Sequence, residues 1–168
     1  GAVHRSQLTY CLNGAGVARW VAKGPPKPYP LYRLPALAAA PDAPVLLVEG
    51  EKAADRAGVY LPDDWIVTAS FGGSSAAKHS DWSPLASRAV VIWPDNDAPG
   101  SKYAAEAAAL IREAGAASVR IVALLPGLPK GWDLGDPLPG TMTAQTVTSL
   151  ILPRPTGLAA RPASTEAG

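Results

Sequence analysis

Apolar residues in this chain fall into short, nearly unbroken runs, separated by stretches where they recur every three or four positions. Val45–Val48, Trp65–Ser70, Ala89–Trp93 and Ser118–Leu124 read as strands, because short, nearly unbroken apolar runs suit a sheet covered on both faces. Glu51–Gly58 reads as a short helix with Ala53, Ala54 and Ala57 on one side. A longer helix is expected from Lys102 to Ala114, capped by Ser101 and stopped by Gly115, with Tyr103, Ala107, Leu110, Ile111 and Ala114 facing inward. Thr143–Ile151 reads as a last helix with Thr143 as its cap. Residues 76–88 give no clear period and suggest a helical turn broken at Pro84.

Strands alternating with helices imply an α/β, Rossmann-like sheet of about four mainly parallel strands with helices on both faces. Residues 1–44 are irregular. Leu8–Leu12 and Val17–Val21 are candidate short strands around an Asn13-Gly14-Ala15-Gly16 turn, and Gly24–Pro30 is a Pro-rich, extended linker. The expected organisation is a basic N-terminal arm and linker at 1–33, the folded domain at 34–152, and a Pro/Ala-rich tail at 153–168, expected to be mobile. No internal repeat is visible.

Composition narrows the class. No apolar run approaches the ~18 residues that span a bilayer, and the polar start Gly1–Gln7 is unlike a signal peptide. The chain has one cysteine, Cys11, and two histidines, so an intramolecular disulfide is excluded and a Cys/His zinc site is disfavoured. A reducing, cytoplasmic setting is the expectation. The net charge of +1 conceals an asymmetry: residues 1–44 carry five Lys/Arg and one Asp, whereas 45–140 carry eight Lys/Arg and twelve Asp/Glu. A basic arm on an acidic core is compatible with a metal site beside an anionic polymer, and equally with ordinary solvated charge.

In parallel sheets ligands gather at the carboxyl ends of the strands. Here the first of the four runs ends in Glu49-Gly50-Glu51-Lys52 and the third in Pro94-Asp95-Asn96-Asp97-Ala98-Pro99-Gly100. The fourth leads to Gly131-Trp132-Asp133-Leu134-Gly135-Asp136. Taken singly, Asp-Asn-Asp before Pro-Gly is good turn chemistry, and Glu49 is a carboxylate well placed near a helix start. Taken together, carboxylates gathered on one edge call for a hard cation. Mg²⁺ is usually held by one or two carboxylates plus substrate phosphates. Asp95 and Asp97 at i, i+2 can face one ion, and Glu49 can approach from the neighbouring strand.

Val45-Leu46-Leu47-Val48-Glu49-Gly50-Glu51-Lys52, then Phe71-Gly72-Gly73, then Val90-Val91-Ile92-Trp93-Pro94-Asp95-Asn96-Asp97, resembles the Toprim domain over about residues 34–140. The nearest flavour is the Toprim module of phage and mobile-element primases and primase-helicases, and Lys130-Gly131-Trp132-Asp133 resembles their downstream acidic motif. The resemblance implies a Toprim-like sheet with Glu49, Asp95 and Asp97 as catalytic residues. It further implies Mg²⁺, replaceable by Mn²⁺, held by Glu49, Asp95 and Asp97 with Asp133 and Asp136 helping. The implied activity is nucleotidyl transfer, making RNA primers from nucleoside triphosphates on single-stranded DNA. Neither a zinc ribbon nor a P-loop accompanies the motifs, so a helicase or template-binding domain on this or another chain is an expected partner.

Lys52 and Lys102 are candidates for nucleotide phosphates, although Lys102 is also spaced to pair with Glu106. Lys27 and Arg33 are candidate nucleic-acid contacts, with Tyr29 and Tyr32 either tracking a single strand or tying the linker to the domain. Trp82 and Trp93 fit base stacking or core packing, and His79 fits a surface loop better than a catalytic base. Two other readings use the same edge: a Toprim nuclease, and a non-catalytic module that binds nucleic acid or a partner. A haloacid-dehalogenase-like phosphatase fits poorly, since its Asp-x-Asp follows the first strand.

Overall fold

The computed structural model describes residues 27–72 and 77–152, together with the backbone of 9–12 and 18–21. The latter form β1 (Thr9–Leu12) and β2 (Ala18–Val21), an antiparallel pair with Thr9 opposite Val21. The expected turn at 13–16 and the tail at 153–168 lie outside the described residues.

From Leu34 the order is α1 (Leu34–Ala39), β3 (Val45–Val48), α2 (Glu51–Ala57), β4 (Ile66–Ala69) and β5 (Ala89–Ile92). Then come α3 (Ala98–Glu113), β6 (Ser118–Ile121) and α4 (Ala144–Ile151). The four strands β3 to β6 form an all-parallel sheet in the order β4-β3-β5-β6. The fold is α/β and Rossmann-like, as expected.

Successive residues of a strand point to opposite faces, and the core divides accordingly. Leu46, Val48, Val91 and Trp93 pack with Ala53, Ala54 and Ala57 of α2 and with Val147 and Ile151 of α4. Val45, Leu47, Val90 and Ile92 pack on the other face with Tyr103, Ala104, Ala107, Ala108 and Ile111 of α3. Small alanines let both helices lie close to the sheet.

The chain leaves β3 through α2 to β4 on one side, then crosses back to β5 on the other and runs outward through α3 to β6. The direction of winding therefore reverses between β3 and β5. In open α/β sheets, the crevice at that reversal is where ligands bind.

Several local expectations are corrected. Helix α3 begins at Ala98, not Lys102, and its cap is Asp97 rather than Ser101. Asp97 accepts a hydrogen bond from the Gly100 amide at 2.7 Å, and Pro99 occupies the first turn, where its missing N–H costs nothing. Ala104 and Ala108 join the buried face, whereas Leu110 and Ala114 pack only partly. Helix α1 falls in a segment expected to be irregular, and it buries Leu37 completely. Residues 77–85 hold two short 3₁₀ turns, Ala77–His79 and Ser83–Leu85, the second opened by Pro84. Thr143 caps α4 as expected, in a reciprocal box with Thr146.

Residues 29–33, expected to be linker, are built into the domain. The Tyr29 amide donates to the His79 carbonyl at 2.6 Å, the Tyr32 amide to the Ala69 carbonyl at 2.9 Å, and Leu31 is buried.

Candidate functional site

Glu49 follows β3 directly and Asp95 stands three residues beyond Ile92, the end of β5, so the two carboxylates flank the winding reversal. Both are half-buried. The Asp95-Asn96-Asp97 turn is folded tightly: the Asp97 amide donates to the Asp95 carbonyl at 2.8 Å, and α3 starts at once. Gly100 lies against the Asp95 backbone, where any β-carbon would meet atoms at 2.6–2.9 Å.

Asn96 brings in the third acidic segment. Its side-chain amide donates to the Leu128 and Pro129 carbonyls, both at 2.8 Å. Its backbone donates to the Trp132 carbonyl at 3.0 Å and accepts from the Gly131 amide at 2.9 Å. The Trp132 ring then packs edge-on against Trp93, with centroids 6.2 Å apart, and its indole N–H donates to Pro137. These contacts fix Asp133 beside the turn.

The electrostatics record the result. Asp95 is pushed up to about 7, first by burial, then by the negative charges of Glu49, Asp133, Asp97 and Asp136. Tyr103, buried on α3 and hydrogen-bonded to Ser70 at 2.7 Å, is also raised, by burial first, with Glu49 and Asp95 adding to it. In the sequence, Tyr103 reads only as an inward-facing residue and Ser70 as the end of a strand. Tyr103 falls on the apolar face of α3, and nothing local marks its phenol as lying near two acids.

Asp97, Asp133 and Asp136 each commit an oxygen to a neighbouring group. Asp97 Oδ1 caps α3, Asp133 Oδ1 accepts from the Gly135 amide at 2.5 Å, and Asp136 Oδ1 accepts from Lys52 Nζ at 2.9 Å. The Lys52 contact lowers the Asp136 pKa and raises that of Lys52. Among the described residues, no three Asp, Glu, His or Cys side chains converge to hold a metal ion by themselves. The donor set remains all oxygen, hard and anionic, which fits Mg²⁺ or Mn²⁺ completed by waters and substrate phosphates.

The other sequence candidates separate. Lys52 is paired with Asp136. Lys102 is exposed on α3, and Glu106 pairs with Lys78 at 3.4 Å instead, which corrects the expected Lys102–Glu106 spacing pair. Trp82 and Trp93 are both buried, so they serve the core rather than base stacking. His79 is exposed in a 3₁₀ turn. Arg33 pairs with Asp55 at 2.8 Å, Tyr32 donates to the same oxygen, and Lys27 lies over the Tyr29 ring.

No helix among the described residues is long and apolar enough to cross a membrane. Compared with family models, curated proteins and solved structures, the chain matches none of them.

Proposed function

We propose that the chain is a Toprim-type, Mg²⁺-dependent nucleotidyl-transfer module of a DNA primase or primase-helicase. It would make RNA primers on single-stranded DNA for a phage, plasmid or other mobile element, in the cytoplasm and alongside a helicase or template-binding domain. One observation carries the reading. Asp95 stands at the winding reversal within the field of four other carboxylates, an arrangement that favours taking up a proton or a cation, and a phosphate-bound divalent metal would supply the second.

Asp95 and the second oxygen of Asp97 are the groups that would hold the ion, with Asp133 beside them. When bound, the ion supplies charge neutralisation for the phosphoryl group under attack. Glu49, just past the adjacent strand β3, would accept the proton of the attacking hydroxyl. Asn96 keeps the 128–133 loop against the turn, and Gly100 lets α3 direct its N-terminus at the same place.

The test is synthesis on a single-stranded template with labelled nucleoside triphosphates, read on a denaturing gel. Wild type should yield short oligonucleotides, and Asp95→Asn/Asp97→Asn should yield none. Shortening of the template instead would move the assignment to a nuclease.

A further inference from the structure

Beside the acidic edge lies a groove of about 320 Å³, walled in part by Pro30, Tyr32, Arg33, Glu51 and Phe71. Glu51 opens α2 only two residues after Glu49, so the groove adjoins the candidate site. Next to it stands an aromatic cluster. The Tyr29 ring lies 5.1 Å from Phe71 and 6.2 Å, edge-on, from His79.

Cations sit on these rings. Lys27 Nζ lies 5.9 Å from the Tyr29 centroid, and the Arg33 guanidinium 5.5 Å from that of Tyr32. Lys27 is exposed, whereas Tyr29, Tyr32, Arg33 and Phe71 are half-buried. The platform is held by the backbone of the domain. Tyr29 bridges to Ser80, and the Tyr32 carbonyl accepts from Thr68 Oγ1 at 2.5 Å. A rigid aromatic surface loses little entropy on binding.

We propose that this groove seats a base of a single-stranded nucleic acid, stacked on Phe71, which Tyr29 backs at 59°, with Lys27 at one flanking phosphate and Arg33 exchanging Asp55 for the other. Half-buried rings interleaved with cations are the composition that binds single strands without regard to sequence. A purely apolar peptide would instead have to bury the Arg33 and Glu51 charges of the wall. The inference rests on the reading of the chain as one that acts on single-stranded nucleic acid. It places the strand on residues that the metal and synthesis tests do not alter, so the two can fail separately.

The experiment is fluorescence anisotropy of a labelled oligothymidylate titrated with the full chain at several salt concentrations. Phe71→Leu, which keeps apolar bulk but removes the π face, should weaken binding at least about five-fold. Phe71→Tyr should restore it, and neither should change the salt slope. Lys27→Gln should reduce the slope of log Kd against log salt by about 0.7, the loss of one phosphate contact on a single strand. Thermal melts of each variant establish that the fold is kept. Wild-type affinity in Phe71→Leu, or no binding by wild type at low salt, would overturn the proposal.

Discussion

Helix α3 rests directly on Asp95: a β-carbon added at Gly100 would stand 2.6 Å from the Asp95 carbonyl oxygen and 2.8 Å from its Cβ. Neither neighbour is the free end of a flexible chain, so the overlap is relieved only by shifting the turn or the helix. Gly100→Ala should therefore cost about 2 kcal/mol, the scale of overpacking in a tight contact, and lower the melting temperature by about 4–8 °C. Thermal unfolding followed by circular dichroism checks it. The same substitution should weaken divalent-cation binding, because the displaced backbone carries Asp95.

Asp95 also makes stability depend on pH in an unusual direction. Its pKa rises from an ordinary 3.8 to about 7 on folding, so the folded state holds the extra proton between these values. Stability should fall as pH rises from about 4 to 7 and level off above. Asp95→Asn removes this component. It should match wild type near pH 4 and exceed it at pH 8 by about 1 kcal/mol, a value discounted for the exposed half of the carboxyl. Urea unfolding at the two pH values gives the comparison.

Asn96 joins two segments that are far apart in sequence. Asn96→Ala leaves the Leu128 and Pro129 carbonyls without this donor and should destabilise the protein by about 1–3 kcal/mol. The loss should be local first. Amide hydrogen exchange should speed up in 128–136 before it does in β3 or β5.

A buried arginine ties several carbonyls together at the other end of the sheet. Arg88 is buried and donates to the carbonyls of Leu37, Ala40, Ala43 and Pro84, at 2.6–3.1 Å. It satisfies the last carbonyls of α1 with a charge that suits a helix C-terminus. Arg88→Met keeps the aliphatic stem but strands those acceptors, and should cost about 3 kcal/mol or more in chemical denaturation.

What the sequence discloses and what it withholds follow a physical line. The strands β3, β4 and β5 were legible because both faces are buried, which leaves unbroken apolar runs with little room for another reading. The acidic strand ends were legible for the same reason: once the runs are placed, Glu49 and Asp95 can lie only at their exits. The start of α3 is ambiguous in the sequence because Ser101 and Asp97 are both good caps, and in the fold Asp97 caps the Gly100 amide while Gly100 packs on Asp95.

Helix α1 escaped notice because six residues with one buried leucine carry no usable period, and it is held by Arg88, about fifty positions away. The Asn96 staple, the Tyr103–Ser70 pair and the Lys78–Glu106 pair are likewise contacts between distant positions. Such contacts leave no mark at the spacing of neighbours along the chain.

In the proposed function, Asp95 and Asp97 hold a divalent cation at the winding reversal. Mn²⁺ titration followed by electron paramagnetic resonance, with and without a non-hydrolysable nucleoside triphosphate, tests it most directly. Asp95→Asn/Asp97→Asn is the comparison, since asparagine keeps the side-chain volumes and the α3 cap. Wild type should bind Mn²⁺, more tightly with nucleotide, and the double variant should not. Equal binding by both proteins, or none by wild type at millimolar Mn²⁺ with nucleotide present, would contradict the proposal.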